Sequence, residues 1–172
     1  MTTTDSSRFW IFSLTVYADS AVQKECLELQ DRFGVDVNVL LFCAFIGAVH
    51  GAVMSEEDVR RAMNVVAWWR ESVVVPLRTM RRALKPFEPP DTGVVPRIEH
   101  FRTNNIKDAE LEAEHIEQIM LERWSLSRLD AWPHAEPDAA VAANVRALLA
   151  ISGAQPQPIA LPRYVIAAAR MA

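Results

Sequence analysis

VDVNVLLFCAFIGAVHGAVM, residues 35–54, is the most apolar stretch of this 172-residue chain, and its strongly polar members are Asp36, Asn38 and His50. A run of about 20 apolar residues is long enough to span a bilayer, which makes a membrane helix one interpretation. The other interpretation is a buried core helix. It is favoured by the two polar residues in the first turn, by His50 near the end and by the lack of flanking basic residues. We therefore predict a buried helix over residues 35–54 that is wrapped by amphipathic neighbours and does not insert into a membrane.

Three segments around this stretch show the apolar spacing of amphipathic helices. In each segment apolar residues recur at intervals of three and four, which places them on one face of a helix. These faces are expected to cover the central helix. The apolar sets are Val22, Cys26, Leu29 and Phe33; Val59, Ala62, Val66, Trp69 and Val73; and Ile106, Ala109, Ala113, Ile116, Met120 and Trp124.

Prolines predict where helices are interrupted. Pro76 lacks an N–H and disfavours helical geometry at the residue before it, so we expect a kink or a break at Val75. Proline-rich composition predicts loops or connectors at residues 86–104 and 152–161. The short helix that starts at Pro76 is expected to turn its apolar residues inward, namely Leu77, Met80 and Leu84.

These elements predict an all-α fold, a single domain over residues 1–172 built as a helical bundle of about seven helices around residues 35–54. The composition agrees, because 51% hydrophobic and 23% charged residues are typical of a globular chain rather than a disordered one. The aromatic stretch that starts at Arg8 is predicted to be helical, with an N-cap at Ser6 or Ser7. It lacks the basic start of a secretory signal, so we expect a cytoplasmic protein.

Composition also excludes several kinds of chemistry. Five glycines leave no Gly-rich loop to cradle a phosphate, and two cysteines are too few for a disulfide scaffold. The sequence has no CxxC and no cysteine–histidine pair at the spacing of zinc ligands. No dinucleotide fingerprint and no nucleophile elbow is present in the sequence. We therefore expect no cofactor, and the protein is more plausibly a binding protein than an enzyme. The net charge of −4 makes nucleic acid an unfavourable partner.

Charge is distributed in two opposed blocks. Residues 60–85 contain seven basic residues and one acid, a net charge of +6, whereas residues 108–122 contain six acids and no basic residue. The simpler interpretation is that the two helices lie side by side and neutralise each other. The functional interpretation is that one block stays available to a partner of opposite charge. Exposed ion pairs contribute too little to decide between the two.

The leading functional hypothesis places a partner surface on the basic helix. Because no catalytic constellation is present, the protein is expected to be a non-enzymatic interaction or regulatory protein whose partner is another protein. Trp68 lies off the apolar face set by Val66 and Trp69, so its indole is expected to be exposed beside the basic block. The predicted surface consists of Trp68, Arg78, Arg81, Arg82 and Lys85.

The alternative hypothesis is a small-molecule-binding protein, or an enzyme of a kind that the sequence does not reveal. Burying a polar group without a partner costs a few kcal/mol, so Asp36 and Asn38 need hydrogen bonds at the start of the most apolar helix. A structural interpretation makes Asp36 a helix cap and bonds Asn38 to a neighbouring backbone. The functional interpretation makes both residues the polar floor of an apolar pocket, together with Tyr17 and Gln30.

Two further sets of residues were candidates for chemistry. Glu112 and His115 form Glu-x-x-His, half of the motif that binds two metal ions in helical bundles, but the chain contains no second copy. We therefore predict no metal site. Cys26 and Cys43 lie on successive apolar segments and are predicted to be buried, unreactive thiols.

Several short runs resemble a family of small uncharacterised proteobacterial proteins, a domain of unknown function. The similarity extends over about residues 8–125 and is most specific in the first forty residues. It implies a cytoplasmic helical protein and supplies no activity, cofactor or catalytic residue. The matching runs are Phe9-Trp10-x-Phe12-Ser13-Leu14, Tyr17, Cys26-Leu27-x-Leu29-Gln30-Asp31, Gly34-x-Asp36-Val37-Asn38, Pro76-Leu77-Arg78, Arg82, Lys85 and Glu110-Leu111-Glu112-Ala113-Glu114.

Overall fold

The computed structural model describes residues 7–152 and 160–172, and these residues are almost entirely helical. Apart from an isolated antiparallel bridge between Ala52 and His134, no β-structure occurs in them. The α-helices are α1 (Arg8–Tyr17), α2 (Ser20–Phe33), α3 (Val37–His50), α4 (Glu56–Trp69), α5 (Val75–Leu84), α6 (Val95–His100), α7 (Lys107–Leu126), α8 (Pro137–Ile151) and α9 (Arg163–Ala169).

Two π-helical segments join some of these helices into longer ones. Arg70–Val74 connects α4 to α5 without a break, and Phe101–Ile106 connects α6 to α7 in the same way. Counted as continuous runs, the described residues contain seven helical stretches. The predicted all-α class and the predicted number of about seven helices are therefore confirmed.

Contacts divide the chain into two compact units. Unit 1 contains Met1–Val65 and Gln118–Ala172, and unit 2 contains Val66–Glu117. The assignment of residues 1–172 to one domain stays a prediction. The predicted connector at residues 152–161 falls mostly on residues 153–159, and the alternative N-cap Ser6 precedes residue 7, so both lie outside the described residues.

Unit 1 is organised around α3, which is buried continuously from Asn38 to Gly47. The Asp36 carboxylate caps its first turn by accepting from the backbone N–H of Asn38 at 2.9 Å. Gly51, with φ +62°, ends the helix in the left-handed conformation that glycine adopts without steric cost. The central helix is thus confirmed, with ends set by its two caps, inside the predicted range of residues 35–54.

The packing of α3 against α8 is the most extensive between two helices of unit 1. It depends on Gly47, because a Cβ atom built there would lie 2.4 Å from the backbone nitrogen of Val141. The fully buried Asn144 of α8 bonds to the chain around the end of α3. Its amide donates to the carbonyl oxygens of Cys43 (3.2 Å) and Ala52 (2.9 Å) and accepts from the Met54 N–H at 2.7 Å.

The structure excludes one of the two outcomes predicted for Pro76 in unit 2, the break. Val75 keeps helical angles, φ −63° and ψ −44°, so the chain does not break before the proline. The preceding π-helical turn, Arg70–Val74, takes up the change in hydrogen bonding that a missing N–H requires. The prediction that Met80 points inward is also wrong, because this side chain is 46% exposed.

The predicted connector at residues 86–104 is helical over its second half. A short 3-10 helix begins at Thr92, and α6 follows from Val95 with Pro96 in its first turn. Proline is tolerated there because the first N–H groups of a helix have no intrahelical acceptor. The prolines of residues 86–104 therefore indicate the start of a helix, at Pro96, as well as a loop.

Substituting Gly47 tests the close approach of α3 and α8. We expect Gly47→Ala to lower the free energy of unfolding by about 2 kcal/mol or more, since the new methyl group must push the α8 backbone away. Gly93→Ala is the control, because the atoms nearest to a Cβ there belong to the exposed side chain of Asp91, at 3.1 Å, and not to a helix backbone. Denaturant unfolding measures both, and equal stability of Gly47→Ala and wild type would contradict this account.

Candidate functional site

A partly buried ionic cluster in unit 2 connects α5 to α7. The Arg78 guanidinium donates to Glu110 Oε1 at 3.2 Å and to Glu114 Oε1 at 2.6 Å. Arg81 donates to both carboxylate oxygens of Glu110, at 3.1 Å for the bond from its Nη2 atom and more closely for the bond from its Nε atom. The side chain of Arg78 is 17% exposed. The two arginines therefore hold one pair of carboxylates between them.

Proton affinities in this cluster follow from the pairing. Burial raises the pKa of Glu110, but the hydrogen bonds and charges of Arg81 and Arg78 outweigh it, so the pKa is lower than usual. Burial also lowers the pKa of Arg78, and the bonds to Glu114 and Glu110 outweigh it in the opposite direction. Glu110, Arg78 and Arg81 are thus held in their charged forms.

This cluster decides between the two interpretations of the opposed charge blocks. Arg78 and Arg81 are bound by acids of the same unit, which confirms internal pairing for these two residues. They were predicted to contact a partner directly, and the structure instead uses their guanidinium groups to fasten α5 to α7. Arg82 and Lys85, the other basic residues of the predicted surface, are exposed.

Consecutive tryptophans at the end of α4 have opposite environments. The indole N–H of Trp69 donates to the carbonyl oxygen of Ala113 at 2.8 Å, which ties this side chain to α7. Trp68 is 72% exposed, as its position off the apolar face predicts. A helix that presents Trp69 to its neighbour necessarily turns Trp68 about 100° away.

The π-helical turn between α4 and α5 brings Trp68 into register with α5. At about 100° per residue, Trp68 and Met80 would be about 120° apart on a regular helix. A π-helical turn contains one extra residue, which reduces this separation to about 20°. Pro76 and Ala83, which are also exposed, fall within about 40° of Trp68 by the same count. We call Trp68, Pro76, Met80 and Ala83 the apolar row.

The polar residues proposed to line a pocket belong to unit 1, where two of them have structural partners. Asp36 caps α3, and the buried Asn38 accepts a hydrogen bond from the Gln118 side chain at 2.9 Å. The predicted cap at Asp36 is thereby confirmed, whereas the bond from Gln118 to Asn38 joins two side chains and is not the predicted bond to a neighbouring backbone. Tyr17 and Gln30 are half-buried. Their role beside a ligand stays a prediction.

The remaining candidates for chemistry have unreactive surroundings. Burial raises the pKa of Cys26 to about 12, with a contribution from Glu25, and raises the pKa of Cys43 strongly. His115 Nδ1 lies 4.0 Å from Glu112 on the same helix. Within residues 7–152 and 160–172, no group of three or more histidine, cysteine, aspartate or glutamate side chains is arranged to hold a metal ion.

Three buried polar residues that organise these sites were not singled out from the sequence: Glu110, Gln118 and Asn144. A signal for two of them was available. Glu110 lies four residues after Ile106 and three before Ala113, so it falls on the apolar face of its helix. Asn144 likewise lies three residues after Val141. A polar residue in register with an apolar face indicates a buried hydrogen bond or ion pair.

Comparison with known proteins identifies one family. Residues 8–121 match the profile of a family described as "Protein of unknown function (DUF2390)". Neither the curated proteins nor the solved structures gave a match to the chain. In the part of the chain that the structure describes, no helix has the length and hydrophobicity needed to cross a membrane.

Removing one arginine of the ionic cluster is expected to be costly. Arg78→Gln leaves Glu110 and Glu114 with less charge compensation in a buried site, which lowers the free energy of unfolding by about 3 kcal/mol. The control is Arg61→Gln, which removes an exposed pair with Glu57 at 3.1 Å and costs less than about 0.5 kcal/mol. Chemical denaturation compares the two variants, and similar losses would show that the cluster is not an important source of stability.

Thiol labelling tests the environment of the cysteines. A disulfide reagent such as DTNB is expected to leave the native protein unmodified, because both thiols are buried and protonated. After unfolding in guanidinium chloride, both cysteines should react. Rapid modification of the native protein would contradict the burial of Cys26 and Cys43.

Proposed function

Because the chain belongs to the family described as "Protein of unknown function (DUF2390)", whose description names no activity, we propose a function from the chain's own surface. We propose that it is an interaction or regulatory protein rather than an enzyme, and that unit 2 binds another polypeptide. We also propose the cytoplasm of a bacterium as the place where it works, and nucleic acid as a class that it does not bind.

The observation that carries this proposal is the exposed apolar row. Trp68 is 72% exposed, and the π-helical turn aligns it with the exposed Met80. Keeping such side chains in water forgoes about 2 kcal/mol per large residue that burial would contribute. Tryptophan and methionine are enriched at protein interfaces, where tryptophan commonly dominates the binding energy. A π-helical turn beside them supports the proposal, because such turns occur frequently at functional sites.

Basic residues contribute to the proposed surface in two ways. Arg82 and Lys85 are exposed near the C-terminal end of α5, where they would contact parts of the partner that extend beyond the apolar row. Arg78 and Arg81 would act indirectly, by holding α5 against α7 through Glu110 so that the row keeps its shape. A surface that is rigid before binding loses less conformational entropy when the partner arrives.

Site-directed photo-crosslinking tests this surface. A photoreactive amino acid at Thr79, an exposed position beside the apolar row, is expected to crosslink to a polypeptide in living cells. The same amino acid at Glu112, exposed on α7, is the control and should not give that product. Mass spectrometry of the product identifies the crosslinked chain.

The dependence of the crosslink on Trp68 decides the result. Trp68→Ala should reduce the Thr79 product at least about tenfold, as the loss of a central interface tryptophan requires. Leu126→Ala, which removes a 63% exposed side chain of unit 1, should leave it unchanged. The proposal is wrong if Thr79 gives no product, or if Trp68→Ala and Leu126→Ala reduce the product equally.

A further inference from the structure

Two short stretches of unit 1 pair with each other as an isolated antiparallel bridge, one directly after α3 and the other before α8. The Val53 N–H donates to the carbonyl oxygen of Pro133 at 2.7 Å, and the Ala135 N–H donates to the carbonyl oxygen of Gly51 at 2.9 Å. These two bonds connect segments that are far apart in the chain. We call the paired stretches the bridge, which consists of residues 51–53 and 133–135.

The two stretches of the bridge are held to different degrees. The first is anchored by the fully buried Asn144, whose side chain donates to the Ala52 carbonyl oxygen at 2.9 Å and accepts from the Met54 N–H at 2.7 Å. The second stretch, residues 133–135, is exposed throughout. Exposed segments are the parts of a protein that open locally at low cost in free energy. The second stretch is therefore the part that moves when the bridge opens.

Histidines lie on both sides of the bridge. His50 directly precedes the first stretch, and His134 is the central residue of the second. The charges of Arg8 on α1, Glu122 on α7 and His134 all act on His50. When both histidines are neutral, Arg8 and Glu122 cancel and the four groups carry no net charge, whereas protonation of both histidines gives a net charge of +2. Acid thus places like charges on the two sides of the bridge.

We propose that the bridge is an acid-sensitive switch, which opens locally when His50 and His134 are protonated and thereby exposes Trp132. This side chain directly precedes the moving stretch, is 7% exposed and packs against Trp124 with ring centroids 5.9 Å apart. Opening would present a large aromatic side chain that the closed bridge keeps buried. The switch lies in unit 1, so it is tested independently of the partner proposed for unit 2.

The direction of the pH dependence follows from the surroundings of His50. Burial lowers the pKa of His50, and the charges of Arg8 and His134 lower it further, against the opposite effect of Glu122. Opening moves His134 away and lets water reach His50, so the open state binds the proton more tightly. The closed bridge therefore has its full stability above a pH of about 6.5 and loses stability as the pH falls from there to the lowered pKa of His50.

Amide hydrogen exchange, followed by NMR on the full chain at pH values of about 7.5 and about 5.5, tests the switch. Protection factors are corrected for the pH dependence of chemical exchange. Those of the Val53 and Ala135 N–H groups and of the Trp132 indole N–H should fall at least about threefold in acid, as repulsion between partly exposed charges requires. The Gly34 N–H, which donates to the Gln30 carbonyl oxygen at 3.0 Å, is the internal control and should keep its protection factor.

Histidine variants test whether the two charges cause the opening. His134→Gln changes an exposed side chain and is expected to fold, and it should reduce the acid-dependent loss of protection to about half on a logarithmic scale. His50→Gln should have a similar effect, and the double variant should show no acid-dependent loss. The matched control is His100→Gln, an exposed histidine of α6 in unit 2, which should leave the loss at its wild-type size.

Three results would overturn the switch. The first is protection of Val53 and Ala135 that is the same at both pH values, and the second is an equal loss at Gly34, which would show that acid destabilises the unit as a whole. The third is a loss that persists at full size in His134→Gln. Loss at the bridge without loss at the Trp132 indole would overturn the exposure of that side chain.

Discussion

The close approach of α3 to α8 is the constraint on which the organisation of unit 1 depends. A Cβ at Gly47 would overlap the α8 backbone, so the two helices contact each other through main chain rather than through side chains. The buried amide of Asn144 then supplies the hydrogen bonds that the chain after α3 needs once water is excluded. At this crossing, Gly47 allows the close packing, and Asn144 supplies the hydrogen bonds that the close packing makes necessary.

Unit 2 contains a different kind of stabilising interaction, a partly buried ionic cluster. Arg78 and Arg81 surround Glu110, and the mutual attraction of these groups offsets the cost of removing each from water. Because guanidinium and carboxylate groups pair in fixed directions, the cluster sets the rotation of α5 relative to α7. That rotation, together with the π-helical turn before Pro76, leaves Met80 beside Trp68 at the surface.

Local features of the fold were predictable from the sequence because local chemistry determines them. Ser7 and Asp36 cap helices whose first N–H groups need acceptors, and Gly34, with φ +67°, ends α2 in a conformation that other residues avoid. Pro76 was expected to kink or break the helix. That expectation considers only the missing N–H of the proline and its effect on the residue before it. The alternative hydrogen-bond pattern of a π-helical turn depends on packing along the helix, which spacing does not reveal.

The sequence by itself determined the helical class, the burial of residues 38–47, the inert thiols and the exposure of Trp68, because each follows from periodicity, capping or composition. The number of helices followed as well, since it depends on where turns and caps occur. Only the tertiary structure decided that Arg78 is paired within the chain, since its bond to Glu110 joins positions 32 residues apart. It also decided that Trp68 and Met80 share a face, because a single π-helical turn changes the register of every residue after it.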